Sequence, residues 1–226
     1  LYAFINPTST GNLITTTGLG PVWEFSMTHF LTVKSNCNTF GTKLSISLGG
    51  ADVGDLRSAR LNAVCGNSTY RATLVSELVQ FAITHNLYGI DVDWEFPKTI
   101  GEKNNHEALL ADLRTAVNGS ANPAIKIGVA IGGEYTGGIN HLNYFNNNTV
   151  QYVDDFHIMA YDFPASYDAN NHSTLVDGQN SFNQWNAVKG VPKAKMYLGV
   201  PFYGRNPART LESEYRTFSV GLASYN

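Results

Sequence analysis

Residues 88–97 read Tyr-Gly-Ile-Asp-Val-Asp-Trp-Glu-Phe-Pro, which sets Asp91, Asp93 and Glu95 at every second position of a run otherwise built from strand-forming residues. Side chains alternate faces along a strand, so the three carboxylates share one face while Ile90, Val92 and Trp94 share the other. Carboxyl groups spaced this way stand about 6 to 7 Å apart. Like charges that close cannot all ionise cheaply in a shielded place. A half-exposed strand with one solvated face would also alternate acidic and apolar residues. The third carboxylate, together with Gly89 before the strand and Pro97 after it, weighs against that plain reading and points to a short buried strand whose end does chemistry.

Working outward, five more short apolar runs read as strands: 1–5, 43–48, 125–131, 155–161 and 196–200. Amphipathic stretches lie between them. Asn67, Ser68 or Thr69 caps a helix whose Leu74, Val75, Leu78, Val79, Ala82 and Ile83 make one apolar stripe, and Asn86 ends it. A second helix fits 105–118 with Leu109, Leu110, Leu113 and Val117 inward, and a third fits 179–189 with Phe182, Trp185 and Val188 inward. Segment 141–151 shows no clear period. Strands alternating with helices argue for parallel βα units. Small or polar residues at the strands' C-terminal ends argue for an α/β fold of the (β/α)8 TIM-barrel type with its site there. A closed barrel needs eight strands and about 250 residues, so the expected barrel is incomplete.

The 226 residues, 43% hydrophobic and 12% aromatic, suffice for one core, and a single domain over 1–226 is expected. A net charge of −3 offers no basic field to nucleic acid or to an anionic membrane surface, so a neutral ligand is expected. Charged residues make up only 15%, against roughly 25% in typical domains. Asn, Ser, Thr and Gly fill the surface instead, a style that suits a secreted protein. Asn67, Asn118, Asn147 and Asn171 each open an N-x-Ser/Thr sequon. No stretch approaches the roughly 20 apolar residues of a membrane span, and any signal peptide is expected to have been removed from this chain. Cys37 and Cys65 flank the strand at 43–48, an awkward separation for a bridge, and are expected to be free thiols. None of the six histidines makes a metal-binding spacing. His157 shares the parity of Met159 and Tyr161 and reads as a hydrogen-bonded core histidine. No glycine-rich phosphate loop joins a strand to a helix, so neither metal nor cofactor is implied.

Four segments carry a resemblance: Lys43 to Gly50, ending in Ser47-Leu-Gly-Gly; the acidic run with Asp91, Asp93, Trp94 and Glu95; Met159-Ala-Tyr-Asp162; and Gly199-Val-Pro-Phe-Tyr-Gly-Arg205. Together they resemble the chitinases of glycoside hydrolase family 18. The family's D-x-x-D-x-D-x-E signature is matched except at its first position, where Tyr88 stands. Family-like segments run in the family's order from Leu1 to Arg205. By this resemblance 1–7 is the second barrel strand and 198–205 the seventh, so the first and eighth are lacking and the chain is expected to be part of a longer enzyme.

The activity the resemblance implies is hydrolysis of β-1,4 linkages between N-acetylglucosamine units. Cleaving such a bond needs an acid for the leaving oxygen and a group to hold developing oxocarbenium charge. Glu95 is the natural acid, its proton affinity raised by its carboxylate neighbours. In substrate-assisted members the sugar's own 2-acetamido oxygen attacks. Asp93 would then orient the acetamido N–H and stabilise the cation, Asp91 would share a proton with Asp93, and Tyr161 would hydrogen-bond the acetamido carbonyl. Asp162 would contact both the sugar and Glu95. Ser47 is expected to hydrogen-bond Asp91, since buried carboxylates need partners, and Gly49 and Gly50 allow close backbone approach. Phe4, Met159 and Tyr203 would line the sugar site and Arg205 would contact it, whereas Trp94 faces the helices. Ala51 stands where many members carry Trp, which removes an aromatic platform. The implied partners are chitin or N-acetylglucosamine oligosaccharides, with the protein a monomer. Two rival readings remain: an endo-β-N-acetylglucosaminidase acting on N-glycans, and a chitinase-like lectin that binds without cutting.

Overall fold

The structure, a computed structural model, describes residues 1–15, 25–52, 54–134, 140–163 and 172–203. Arg205 and Asn171 lie outside the described residues. Six strands, β1 (Tyr2–Ile5), β2 (Ser45–Gly49), β3 (Gly89–Asp93), β4 (Lys126–Gly132), β5 (Asp155–Met159) and β6 (Met196–Leu198), follow one another in chain order in one sheet. The pairs β1–β2, β2–β3 and β3–β4 are parallel. Between the strands run α1 (Met27–Thr39), α2 (Leu56–Gly66), α3 (Ser68–Thr84), α4 (Ile100–Asn118) and α5 (Leu175–Lys189). This is the βα alternation of a (β/α)8 barrel, with six strands present among the described residues. No helix among them is long and apolar enough to cross a membrane. The chain groups into two compact units, one of 1–130 with 143–156 and the other of 131–142 with 157–226.

In the first unit β3 is buried along its whole length, as expected of a parallel strand covered on both faces. Ile46, Leu48, Ile90, Val92, Ile127 and Val129 are fully buried with Leu74, Leu78 and Ala82 of α3 and Leu109, Leu110 and Leu113 of α4. Each large side chain so buried contributes about 1.5–3 kcal/mol. Helix boundaries follow from capping chemistry. The Asn67 carboxamide accepts from the N–H groups of Thr69 and Tyr70 to start α3, and Asn86 at φ 47° follows its end. Thr99 and Glu102 form a reciprocal capping box that starts α4 at Ile100, five residues before the apolar stripe predicts. That first turn holds an exposed Ile100 and polar residues, so hydrophobic period cannot find it.

Two helices escape the periodicity altogether. Helix α1 buries only Phe30. Its ring meets those of Tyr2, Phe25, Phe81 and His85 at centroid distances of 5.4, 5.6, 5.2 and 5.0 Å. One aromatic anchor thus docks an otherwise polar helix. Helix α2 begins where the Asp52 carboxylate accepts from the Arg57 N–H at 3.1 and 3.2 Å, and buries Leu61, Val64 and Cys65. Segment 141–151 resolves into two 3-10 turns, His141–Tyr144 and Asn147–Tyr152. Both cysteines are free thiols.

In the second unit, α5 starts at Leu175, capped by the Thr174 hydroxyl accepting from the Asp177 N–H at 3.0 Å. The predicted inward set needs correction: Trp185 is buried and donates from its indole N–H to the Gly132 carbonyl at 3.0 Å, but Val188 is 55% exposed. Asp177, Gly178 and Ser181 take the inward face instead. Small and hydrogen-bonded polar residues fill this contact, and a search for apolar period passes over them.

Candidate active site

The acidic strand lies in the first unit. Register places Asp91 of β3 between Ser47 of β2 and Gly128 of β4, and Asp93 beside Gly49. Small neighbours on both sides leave room for buried carboxyl groups. Asp91 is 1% exposed, and the Ser47 hydroxyl donates to its Oδ2 at 2.7 Å, the contact expected from the sequence. Asp93 is 8% exposed. Burial, then the charges of Glu95 and Asp91 and a side-chain hydrogen bond with Glu95, push its proton affinity well above the usual carboxylate range, while Arg57 opposes them. Its Oδ1 is buried with no hydrogen-bond partner. Such an oxygen is costly to leave unmet. Glu95 follows the strand's end and is half-buried.

The segment after Asp93 is held from behind. Trp94 is 2% exposed; its indole N–H donates to the Ser58 hydroxyl of α2 at 2.8 Å, and its ring meets His106 of α4 edge-on at 5.7 Å. Burial pulls the His106 pKa down to about 4, so it packs as a neutral ring. Trp94 therefore faces the helices, as its parity requires.

Gly49 and Gly50 owe their identity to positive φ and to close contacts within the protein. Gly49 has φ 107°, and a Cβ there would lie 2.3 Å from the Asp93 carbonyl oxygen. Gly50 has φ 83°, a Cβ there would lie 2.5 Å from the Phe4 ring, and its N–H donates to the Asp93 carbonyl at 2.7 Å. Phe4 is half-buried against this turn. Gly49→Ala is expected to cost several kcal/mol, since it combines a left-handed φ with a backbone clash. A thermal melt within about 2 °C of wild type would contradict that account.

The second unit holds Met159, Tyr161, Asp162 and Tyr203. Met159 ends β5 and is half-buried, as is Tyr161. Gly199 gives the Tyr161 ring its place: a Cβ there would lie 3.0 Å from that ring and 2.7 Å from the Ile158 carbonyl oxygen. Tyr161 and Tyr203 meet edge-on at 6.2 Å. Asp162 is exposed and sits at φ 62°, fixed by His172, whose Nδ1 accepts from the Asp162 N–H at 3.1 Å. The other ring nitrogen then donates to the Tyr203 carbonyl at 3.3 Å, and the His172 ring stacks on Tyr203 at 5.3 Å. The sequence gives no signal for His172, because its partners are 10 and 31 residues away.

Glu134, just beyond β4, is a second residue without a sequence signal. It is 7% exposed; its Oε1 accepts from the Leu142 N–H at 2.8 Å, and its backbone N–H donates to the Ser181 hydroxyl at 2.8 Å. Burial raises its pKa to about 7 against the pull of the Leu142 and His141 backbone N–H groups and of Lys189. A carboxyl whose folded pKa exceeds its unfolded value stabilises the fold most at low pH, and that contribution fades as pH rises through the folded value. Glu134→Gln is expected to flatten the fall in melting temperature between about pH 4.5 and 7; an unchanged pH slope would contradict the raised pKa.

Paired carboxyls stand at the C-terminal end of a parallel strand, set among small neighbours in a βα fold, the end at which barrel folds of this class carry their sites. The chain belongs to the glycosyl hydrolases family 18, whose model matches residues 1–226. It is 28% identical over 200 residues to Chitinase A1 of Niallia circulans, covering 73% of this chain and 28% of that protein. Its fold matches that of a class V chitinase from Nicotiana tobaccum in complex with NAG4, with TM-score 0.70 and 23% identity over 89% of this chain and 59% of that one. A chitinase-like agglutinin from Robinia pseudoacacia matches equally, with TM-score 0.71 and 23% identity over 89% of this chain and 62% of that one. In each comparison the chain spans less than two thirds of its counterpart.

Proposed function

We propose that this protein hydrolyses β-1,4 linkages between N-acetylglucosamine units by a retaining, substrate-assisted mechanism. The observation that carries the proposal is the pairing of buried Asp93 with half-buried Glu95 through a hydrogen bond, with the Asp93 proton affinity raised by burial and by the charges of Glu95 and Asp91 and its Oδ1 unmet. Two such groups sharing a proton supply one acid and one oriented acceptor. Glu95, the more accessible of the two, donates to the leaving glycosidic oxygen. Asp93 Oδ1 accepts from the substrate's acetamido N–H, which aims the acetamido oxygen at the anomeric carbon. That oxygen forms the new bond as the glycosidic bond breaks, giving an oxazolinium ion and a departing sugar alcohol. Glu95, now a carboxylate, takes a proton from water, which opens the ion with overall retention. Asp91, anchored by Ser47, supplies negative charge behind Asp93. On the family resemblance alone, Tyr161 is assigned to the acetamido carbonyl and Asp162 to the sugar. Met159, Tyr203, Phe4 and Arg205 are assigned to the walls of the sugar site. The protein is expected to act as a secreted monomer.

Family membership and the resemblance to Chitinase A1 support chitin as the substrate class. The fold is shared with a chitinase and with a chitinase-like agglutinin alike, so the proposal rests on the carboxyl pair and not on the fold. The test incubates purified protein with chitin oligomers and, separately, with a high-mannose glycopeptide. Release of shorter N-acetylglucosamine oligomers supports the proposal. Cleavage of the glycopeptide alone overturns it in favour of an N-glycan endoglycosidase, and oligomer binding without products overturns it in favour of a lectin.

A further inference from the structure

Arg57, on the first turn of α2, is none of the carboxyl groups of the proposed mechanism, yet its side chain reaches the carboxyl end of β2 and the Phe4 ring of β1. Its Nη1 donates to the carbonyls of Gly49 at 3.2 Å and Ala51 at 3.4 Å. Its guanidinium carbon lies 5.4 Å from the centre of the Phe4 ring. The backbone turn it grips is the one that donates from Gly50 to the Asp93 carbonyl, and its charge reaches the Asp93 carboxyl. The side chain is held at one nitrogen and by one ring face, and it is only half-buried. Among the described residues, Nε and Nη2 have no hydrogen-bond partner, which leaves three N–H donors in a fixed plane.

A pinned, planar, donor-only group beside a turn that closes on a buried acid suits an oxygen-rich neutral ligand. Sugar hydroxyls and acetamido carbonyls accept such hydrogen bonds without bringing charge. A mobile cation such as Lys would lose entropy on binding, whereas this guanidinium is already fixed by its contacts with Gly49, Ala51 and Phe4. Among the described residues no acidic side chain hydrogen-bonds to these donors. The flanking residue Ala51 is small and exposed, and leaves the guanidinium uncovered.

We propose that Arg57 is a specificity-determining residue: its Nε and Nη2 bind a hydroxyl or acetamido oxygen of a sugar unit adjoining the one that is cleaved. This rests on the glycosidase reading above. A charge-assisted hydrogen bond of this kind controls about a tenfold change in affinity.

The test uses Arg57→Lys, which keeps the charge near Asp93 but loses the fork, and Arg57→Met, which loses both. For Arg57→Lys, KM for chitin pentamer and hexamer is expected to rise about tenfold, with kcat within about twofold and an unchanged pH profile. An aryl glycoside of chitobiose, which offers fewer adjoining sugars, should show a smaller rise. For Arg57→Met, the same KM effect should be joined by an alkaline shift of the limb that reports Asp93, because a cation that lowers its proton affinity is gone. Titration of oligomers into Glu95→Gln with and without Arg57→Lys gives the binding effect directly, independent of turnover. Equal KM and dissociation constants for Arg57→Lys and wild type on every oligomer would overturn the inference. So would a loss of kcat and melting temperature equal on long and short substrates, which marks a purely structural clamp. If the wild-type protein neither cuts nor binds any oligomer, the glycosidase reading itself has failed.

Discussion

Glu95→Gln is expected to reduce turnover of chitin oligomers by about 10²–10⁴-fold, the usual yield of a positioned general acid, while leaving their binding largely intact. The substitution keeps the shape and the hydrogen-bonding capacity of the side chain and removes only its proton-transfer chemistry. Glu95 is half-buried, past the strand's last residue, so the amide meets water and leaves no large desolvation defect. The carboxyl it faces, Asp93, remains in place. Steady-state rates and calorimetric titration with a chitin tetramer separate the two effects. Turnover within tenfold of wild type would remove Glu95 from the acid role. Loss of binding together with turnover would place it in substrate recognition instead.

Asp93→Asn is expected to separate activity from stability in opposite directions. The amide presents its carbonyl or its NH₂ to the acetamido group but carries no charge to hold against the oxazolinium ion. The loss of a preorganised electrostatic partner costs about 10²–10³ in kcat. Stability should move the other way. Burial and the Glu95 and Asp91 charges hold the Asp93 pKa well above its unfolded value. Its contribution to folding is thus complete below the unfolded pKa and is lost as pH rises through the folded one. A neutral Asn escapes that loss, so the variant's melting temperature should exceed wild type increasingly as pH rises above the unfolded carboxylate range. A variant that keeps normal turnover would contradict substrate assistance. One that melts below wild type by the same margin at every pH would contradict the raised proton affinity. The pattern is that of a site where the fold tolerates an unfavourable group because the chemistry requires it.

The strand framework was legible because it is written in short-range pattern. All six apolar runs form strands within two or three residues of their expected ends, and β3 shows why: alternating Ile90, Val92 and Trp94 against three acids leaves little else for that segment to be. Helices α3 and α4 were legible from their apolar stripes. Helix α1 was not, because a single buried ring, Phe30, holds it against Tyr2 and Phe81 from distant parts of the chain. The same distinction runs through the site. The bond from Ser47 to Asp91 followed from parity and the need of a buried carboxylate for a donor. Arg57, His172 and Glu134 escaped notice because their importance lies in backbone carbonyls and N–H groups that have no signature in sequence. The glycines were legible as close approaches, but the approaching group is the protein's own Asp93 carbonyl or Phe4 ring.

The most direct test of the account is the anomeric configuration of the first product, read by proton NMR within the first minutes of cleavage of a chitin pentamer, before mutarotation. Attack by the acetamido oxygen followed by water predicts the β-anomer at the newly formed reducing end. A first product of α configuration would show single displacement by water and would contradict the roles given to Asp93 and Glu95.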